Sequence, residues 1–319
     1  MNKCYLNFRT DMADERVDVY KRVHNLSEID GIKVESKLEN EVTTVTVDVL
    51  NEKGSEILKK PIGKYITMEL HNMDIMEEKE KETIIEELSK QIQILVGDKI
   101  KSVMVVGLGN RNVTPDSLGP KVISNVNVTR HVLKYAKELM KPETREISAI
   151  APGVMGTTGI ETEEIIEAVT ERVKPELVIV IDSLASMSTE RLGKTIQLCN
   201  TGIIPGSGVG NSRKGLTKET LKIPVIAIGV PTVVDMATIT NEAIDKLVEK
   251  TKDETLNYTN TTLNKEEIEK IFTLLENEGR YNMISKALHT ENYMVTPKEI
   301  DDIVDKIVEI IASGINVAV

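Results

Sequence analysis

Four short apolar segments recur through the middle of this 319-residue chain, near residues 101–107, 145–151, 176–182 and 223–229. Amphipathic stretches that indicate helices lie between them, near residues 117–139 and 161–173. Continuous apolar runs are typical of strands that are buried on both faces, and strands that alternate with helices build doubly wound sheets. The sequence therefore predicts an α/β fold with a mostly parallel sheet flanked by helices.

The N-terminal part of the chain has a different pattern. Short runs in which apolar and polar residues alternate, at 32–35, 42–47 and 63–69, predict three strands of an antiparallel segment. A further strand is expected near 194–199, at an edge of the sheet. Helical spacing of apolar residues predicts further helices within the first 25 residues, around Glu77–Gly97 and near Pro297–Ser313.

Composition restricts the classes of function. The chain has 40 basic and 51 acidic residues, a net charge of −11, which disfavours direct binding to nucleic acid or to an anionic membrane. No run approaches the roughly 18 apolar residues of a membrane span, and the N-terminus lacks the apolar core of a signal peptide. Cys4 and Cys199 have no metal-like spacing, which favours a reducing, cytoplasmic location.

Two aspartates follow predicted strands. Asp116 lies in a turn-rich loop after the strand that ends in Gly107-Leu108-Gly109-Asn110, and Asp182 directly follows the apolar run 177–181. Taken singly, Asp116 is as readily a helix N-cap, and Asp182 is more readily a turn former at a strand end. Ligands of open parallel sheets gather at the carboxyl ends of the strands, however, so the two side chains are expected to share one cleft. Both are therefore candidate catalytic residues.

Other strand ends carry supporting candidates. Gly153 and Gly156 lie in a glycine-rich loop at 151–160, and Asp235 follows the strand near 223–229. Asp235 is a candidate third acidic group, although a helix N-cap is the better interpretation. Backbone amides of the Gly107–Asn110 turn or of the 153–159 loop are candidates for stabilising an oxyanion.

Competing motifs are incomplete. Gly107-Leu108-Gly109 begins a dinucleotide fingerprint but lacks its third glycine, and the serines after Asp182 lack a nucleophile elbow. The four histidines are scattered, so neither a metal site nor a cofactor is predicted. A glycine-rich loop at 201–211 could cradle a phosphate through its amides, or serve as a lid over an extended peptide.

Together these motifs resemble the germination proteases of spore-forming bacteria. The matching motifs are Gly107-Leu108-Gly109-Asn110, Thr114-Pro115-Asp116-Ser117-Leu118-Gly119-Pro120, Ala151-Pro152-Gly153-Val154-Met155-Gly156, Ile181-Asp182-Ser183-Leu184-Ala185, Pro205-Gly206-Ser207-Gly208-Val209-Gly210-Asn211 and residues 224–235. The resemblance implies an atypical aspartic endopeptidase that degrades small acid-soluble spore proteins in the forespore and spore core, assembles as a homotetramer and uses no cofactor. By motif, the two aspartates held to be catalytic in that family fall on Asp116 and Asp182.

The resemblance also implies a zymogen that trims its own N-terminus. The family cuts at a Thr-acidic-apolar-Ala pattern, which Thr10-Asp11-Met12-Ala13 matches, with the cut expected between Asp11 and Met12. Residues 1–11 would then be a propeptide, and 12–319 a single protease domain with a small β-rich subdomain near 30–72. The alternative reading of this segment is a helix start capped by Thr10 or Asp11.

Small departures from the family pattern bear on substrate choice. Met187 stands where an arginine is usual, and Ile204 where a histidine is common. The family fold is also similar to that of hydrogenase-maturation endopeptidases, which recognise a bound nickel, and that class is the alternative within proteolysis. A nucleotide-binding or phosphate-binding enzyme of the phosphorylase-like class would use the same strand-end cleft and is the alternative outside it.

Overall fold

The structure is a computed structural model that describes residues 9–319, apart from 41, 72, 74, 75, 98, 205–213, 253–279 and 288–292. Residues 1–8 of the predicted propeptide and residues 205–211 of the predicted glycine-rich loop therefore lie outside the described residues. None of the helices within the described ranges is long and apolar enough to cross a membrane.

One mixed sheet runs through the described chain. Its strand order is β1-β2-β3-β7-β8-β6-β4-β5, with β9 paired to β8. Strands β5, β4, β6 and β8 are parallel to their neighbours within that group, and β1, β2, β3 and β7 are antiparallel. The bounds are β1 Ile32–Glu39, β2 Val42–Val49, β3 Gly63–Leu70, β4 Ser102–Gly107, β5 Glu146–Ile150, β6 Leu177–Ser186, β7 Thr195–Cys199, β8 Val225–Asp235 and β9 Met294–Val295.

Helices cover both faces of the parallel strands. Alternate residues of β6 enter different clusters: Ile179 and Ile181 pack with α3, α4 and the C-terminal helix α11, whereas Val178 and Val180 pack on the side of α7 and α8. The bounds are α1 Ala13–His24, α2 Glu52–Leu58, α3 Glu78–Val96, α4 Leu118–Ile123, α5 Arg130–Tyr135, α6 Met155–Thr158, α7 Thr162–Val173, α8 Lys218–Leu221, α9 Met236–Lys252, α10 Arg280–Ala287 and α11 Ile300–Ala318. The predicted α/β class is confirmed, as are the antiparallel segment and the long helices α3 and α11.

The predicted edge position of the strand near 194–199 is wrong. Strand β7 lies inside the sheet, antiparallel to both β3 and β8, and all five of its residues are buried. It joins the antiparallel part of the sheet to the parallel part. Its polar residues Thr195 and Gln197 are both buried, and the side chain of Gln197 binds another segment of the chain.

The single helix predicted near 117–139 is interrupted. Helices α4 and α5 are separated by residues 124–129, where the side chain of Asn125 donates to the carbonyl of Lys121. Thr129 then bridges to the start of β5, because its hydroxyl donates to the Arg145 carbonyl at 2.6 Å and accepts from the Ile147 amide at 2.8 Å. These contacts compete with helical hydrogen bonds and end α4.

The N-terminal residues form a docked helix. Helix α1 begins at Ala13, and its Ala13 and Val17 pack with Val47 and Leu58 in a cluster beneath the antiparallel strands. The N-cap position is Met12, which makes no side-chain capping bond, so capping by Thr10 or Asp11 is wrong.

Candidate active site

The loop after β4 places the carboxylate of Asp116. The Asn110 amide donates to Asp116 Oδ2 at 2.8 Å and to the Asp116 carbonyl at 2.9 Å. Gly109 has a φ of +107°, and a Cβ there would lie 2.1 Å from the Asp116 carbonyl oxygen. A Cβ on Gly107 would lie 2.3 Å from the carbonyl oxygen of Gly119 in α4. The two glycines therefore let residues 116–119 fold directly onto the end of β4.

Asp116 is not the cap of the following helix. The N-cap of α4 is Ser117, and residues 114–116 form a short 3-10 turn. The hydroxyl of Thr232 in β8 donates to the Pro115 carbonyl at 2.7 Å, which ties this turn to the sheet. Asp116 is thus held at the carboxyl end of the parallel strands, as the sequence predicted.

Asp182 lies inside β6, since that strand continues to Ser186 beyond the predicted end. Strand β4 stops at Gly107, which pairs with Ile181, and the loop that carries Asp116 begins next to Asp182. The Asp182 side chain is buried and accepts a hydrogen bond from the Ser183 amide at 2.9 Å. Burial raises the pKa of Asp182 well above its usual value, and the nearby charges of Asp116 and Asp11 raise it further.

The segment around the expected cut lies in the same cleft. Thr10, Met12 and Ala13 are almost completely buried. The Asp11 amide donates to the Ala185 carbonyl at 2.9 Å, and the Ala185 amide donates to Asp11 Oδ2 at 3.0 Å. The segment is thus seated on β6, three residues beyond Asp182.

Two side chains hold the carbonyl oxygen of Asp11, which belongs to the Asp11–Met12 peptide bond. Lys60 Nζ donates to it at 2.7 Å and Gln197 Nε2 at 3.1 Å. Gln197 Oε1 also accepts from the Ala13 amide at 2.7 Å. Sequence reasoning missed both residues. The only local signal was a glutamine in the middle of the apolar strand β7; Lys60 follows α2 in an ordinary polar turn.

Acidic residues after the expected cut bind a second set of groups. Glu15 accepts hydrogen bonds from the Ser186 hydroxyl at 2.6 Å and the Met187 amide at 2.9 Å, and also from the Thr10 hydroxyl. Arg191 donates to Asp14 at 2.5 Å and lies 3.4 Å from Glu15. Burial raises the pKa of Glu15, although these partners oppose the shift. Residues on both sides of the Asp11–Met12 bond are therefore fixed.

A cavity of about 120 Å³ is lined in part by Asp11, Gln197, Ile204 and Gly229. Ile204 thus shares this cavity with Asp11, and the Met187 backbone binds Glu15. Both positions that depart from the family pattern lie close to the bound segment.

The remaining candidates are farther away. Asp235 Oδ1 accepts from the Thr238 amide at 2.6 Å at the start of α9, and Oδ2 accepts from the Tyr281 hydroxyl. Asp235 lies six residues beyond Gly229, the partner of Asp182, which is about 20 Å along the strand. Its contacts are those of a helix cap.

Gly153 lies in the loop after β5 and Gly156 in the following helix α6. Strand β5 is on the far side of β4 from β6. Gly153 has a φ of +79° and its carbonyl accepts from the Thr162 hydroxyl at 3.3 Å, whereas a Cβ on Gly156 would meet nothing within 4 Å. In the part of the chain that the structure describes, no group of three or more His, Cys, Asp or Glu side chains is placed to hold a metal ion.

A family model and several related proteins identify the same family. Residues 9–265 match the family model described as germination protease. The germination protease of Clostridium perfringens strain SM101 is 43% identical over 316 residues, which cover 98% of this chain and 95% of that protein. That of Caldanaerobacter subterraneus is 44% identical, covering 98% and 94%, and that of Bacillus velezensis is 42% identical, covering 97% and 92%.

A solved [NiFe] hydrogenase maturation protease, HycI from Thermococcus kodakarensis, matches 44% of this chain and 80% of its own at 18% identity, with a TM-score of 0.29. That likeness is too slight to support any inference. The family match and the near full-length relatives agree with the motifs around Asp116 and Asp182, and the chain therefore belongs to the germination protease family of endopeptidases.

Proposed function

We propose that this chain is an endopeptidase of the aspartic type, that Asp116 and Asp182 are its catalytic pair, and that it is made as a zymogen which cuts its own Asp11–Met12 bond. One observation carries the proposal. The segment that matches the expected cut lies beside Asp182, and two donors hold the carbonyl of the bond to be cut.

The two aspartates differ in surroundings in the way that acid and base catalysis requires. Asp182 is buried beside two other carboxylates, and its raised pKa keeps its proton. Asp116 accepts a backbone N–H and is placed to act as the base. In this scheme Asp116 takes a proton from water while the water oxygen attacks the Asp11 carbonyl carbon. When the C–N bond breaks, Asp182 gives its proton to the Met12 nitrogen, which yields a carboxylate and an amine.

Residues 1–11 are the propeptide in this proposal, and residues 12–319 the single protease domain, with a small β-rich subdomain near 30–72. Residues 10–13 occupy the cleft that a substrate would need, so the uncut chain is inactive toward other proteins. The contact between the Asp11 amide and the Ala185 carbonyl supports binding of substrates as an extended strand along β6.

The proposed substrates are the small acid-soluble spore proteins, cut in the cytoplasm of the forespore and spore core by a homotetramer. The net charge of −11 argues for protein substrates over nucleic acid. No cofactor is part of the scheme. The dinucleotide interpretation of the Gly107–Asn110 turn loses support, because the Asn110 amide already donates to Asp116.

Asp116→Asn and Asp182→Asn test the proposal, because each removes an acid or a base at nearly constant volume. Purified variants are incubated with a small acid-soluble spore protein, and fragments are followed by mass spectrometry. We expect both variants to lose substrate cleavage and self-trimming, while the control Asp301→Asn, an exposed position on α11, keeps both. Full activity in either variant would remove that aspartate from the mechanism.

Cleavage in the presence of a chelator tests the alternative of a hydrogenase-maturation-like endopeptidase. We expect unchanged cleavage by the wild-type chain in EDTA. Loss of cleavage in EDTA, with recovery on added nickel or zinc, would instead favour a metal-dependent endopeptidase.

A further inference from the structure

We infer that Lys60 and Gln197 form the oxyanion site of this protease, and that they donate to the carbonyl oxygen of the bond being cut. The inference rests on the proposed function and adds two catalytic residues to it. It replaces the expectation that backbone amides of the 107–110 turn or the 153–159 loop stabilise the oxyanion.

The sheet register explains how Gln197 reaches the bond. Gly229 pairs with Gln197 on one side and with Asp182 on the other. Directly paired residues project from the same face of a sheet, so the Gln197 and Asp182 side chains stand on one face, about 10 Å apart across two strand spacings. Asp11 lies between them, since it is hydrogen-bonded to Gln197 and its charge acts on Asp182. The acid and the amide thus flank the same peptide.

Gln197 fixes the position of the bond as well as its carbonyl. Its side-chain amide donates to the Asp11 carbonyl and accepts from the Ala13 amide, at 3.1 and 2.7 Å. These are the two groups that a neighbouring β-strand would bind. The Asp11–Met12 bond is thereby held between two fixed points, and little freedom remains to be lost on the way to the transition state.

Lys60 is the second donor. Its Nζ lies 2.7 Å from the same carbonyl oxygen. Burial lowers the pKa of Lys60, and the nearby Asp11 carboxylate opposes that shift. A water oxygen that adds to the carbonyl carbon sends the π electrons onto this oxygen. The resulting oxyanion faces an amine and an amide N–H that are already in place, and such donors stabilise developing charge more than a neutral carbonyl. The electrons return when the C–N bond breaks.

The Asn110 amide is already occupied by Asp116. The loop that contains Gly153 lies across β4 from β6, whereas the Asp11 carbonyl lies on the β7 side. Both sets of backbone amides considered from the sequence are thus less well placed than Lys60 and Gln197.

Self-processing is the best assay, because its substrate is already bound and no KM enters the rate. We would measure the first-order rate of trimming in full-length Lys60→Met, Lys60→Arg, Gln197→Glu and the control Lys59→Met, which removes the adjacent exposed lysine. Loss of one oxyanion donor typically slows a protease about 10²–10³-fold. We expect that loss for Lys60→Met and Gln197→Glu, a smaller loss for Lys60→Arg, which keeps a cationic donor, and a rate within twofold for Lys59→Met.

A second readout separates catalysis from folding. The mature form of each variant, produced from residue Met12, is assayed on a spore-protein peptide, with thermal unfolding measured in parallel. We expect kcat to fall by the same factor as self-processing while KM stays within about threefold. If a Lys60→Met chain does not fold, the self-processing rates of Lys60→Arg and Gln197→Glu, each compared with that of Lys59→Met, test the oxyanion role instead. Wild-type rates in these variants, with Asp182→Asn inactive, would overturn the oxyanion role alone. Activity in Asp182→Asn would overturn the proposed function instead.

Discussion

Gly109 and Asp116 approach so closely that no side chain fits at position 109. A Cβ there would lie 2.1 Å from the Asp116 carbonyl oxygen and 2.9 Å from its carboxylate. The close approach lets the Asn110 amide donate to both the carbonyl oxygen and the carboxylate Oδ2 of Asp116, so Gly109 fixes where the candidate base lies.

Gly109→Ala should inactivate the protease by displacing Asp116. The backbone at 109 has a φ of +107°, and the added methyl meets main-chain atoms that cannot rotate away. Gly97→Ala is the matched control, since Gly97 also has a positive φ but has no atom within 4 Å of the new Cβ. Holding an alanine at such a positive φ costs about 1–3 kcal/mol. Urea unfolding should show that cost for Gly97→Ala and a larger one for Gly109→Ala, and only the latter should stop self-processing. Equal effects in the two variants would contradict the steric argument.

Self-processing should be intramolecular. Thr10 and Met12 are 1% and 0% exposed, so the Asp11–Met12 bond of one chain is inaccessible to the cleft of another. The first-order rate should therefore not change over a hundredfold dilution, and the trimmed chain should begin at Met12 by N-terminal sequencing. Mature wild-type protein should also fail to trim full-length Asp182→Asn. Rapid trimming of that variant in the mixture would show cleavage between chains.

The pH dependence of stability should report Asp182. An aspartate with a raised pKa in the folded protein binds its proton more tightly there than in the unfolded chain. Between the ordinary and the raised pKa, the free energy of unfolding therefore falls as the pH rises. The side chain of the Asp182→Asn variant cannot ionise, so the Tm of the variant minus that of the wild type should increase from pH 5 to pH 8. Thermal unfolding across this range checks the prediction, and a constant Tm difference would be inconsistent with a protonated Asp182.

Self-processing should follow the same titration. If Asp182 gives its proton to the Met12 nitrogen, the rate should decline as the pH rises through the raised pKa of Asp182. The trimming rate of the wild-type chain, measured between pH 5 and pH 8, should be highest in mild acid. A rate that increases steadily toward pH 8 would argue against Asp182 as the acid.

Arg191 should contribute far more to stability than an exposed partner of an ion pair. Its side chain is 17% exposed, binds Asp14 and Glu69 at 2.5 and 2.7 Å and lies 3.4 Å from Glu15. Removing it leaves the buried carboxylates of Asp14 and Glu15 without their cation. We expect Arg191→Leu to lower the free energy of unfolding by about 3–5 kcal/mol. Lys53→Leu removes the exposed pair with Asp30 and should leave the free energy of unfolding close to that of the wild type. Urea titration of both variants tests this, and similar costs would mean that the Arg191 cluster is no stronger than a surface pair.

The sequence determined most of the local architecture. Apolar runs at four of the strands identified the parallel part of the sheet, because strands buried on both faces need uninterrupted apolar residues. The predicted strand ends placed Asp116 and Asp182 at one edge of the sheet, since each aspartate lies within a few residues of the apolar run that predicted its strand, although β6 continues past Asp182 to Ser186. The predicted bounds of helix α3 agree with the structure to within a few residues. The helix predicted near 117–139 is interrupted at residues 124–129, where Thr129 contacts the start of β5.

Only the tertiary structure decided how the cleft is completed. Lys60, Gln197 and Arg191 come from different parts of the chain, and nothing in their local sequence indicates that they meet Thr10–Glu15. The interior place of β7 likewise depends on its pairing with both β3 and β8. A sequence pattern records which face of one element is apolar. The partner of a buried polar side chain is instead set by contacts between residues distant in sequence, 49 positions apart for Lys60 and Asp11 and 186 for Gln197 and Asp11.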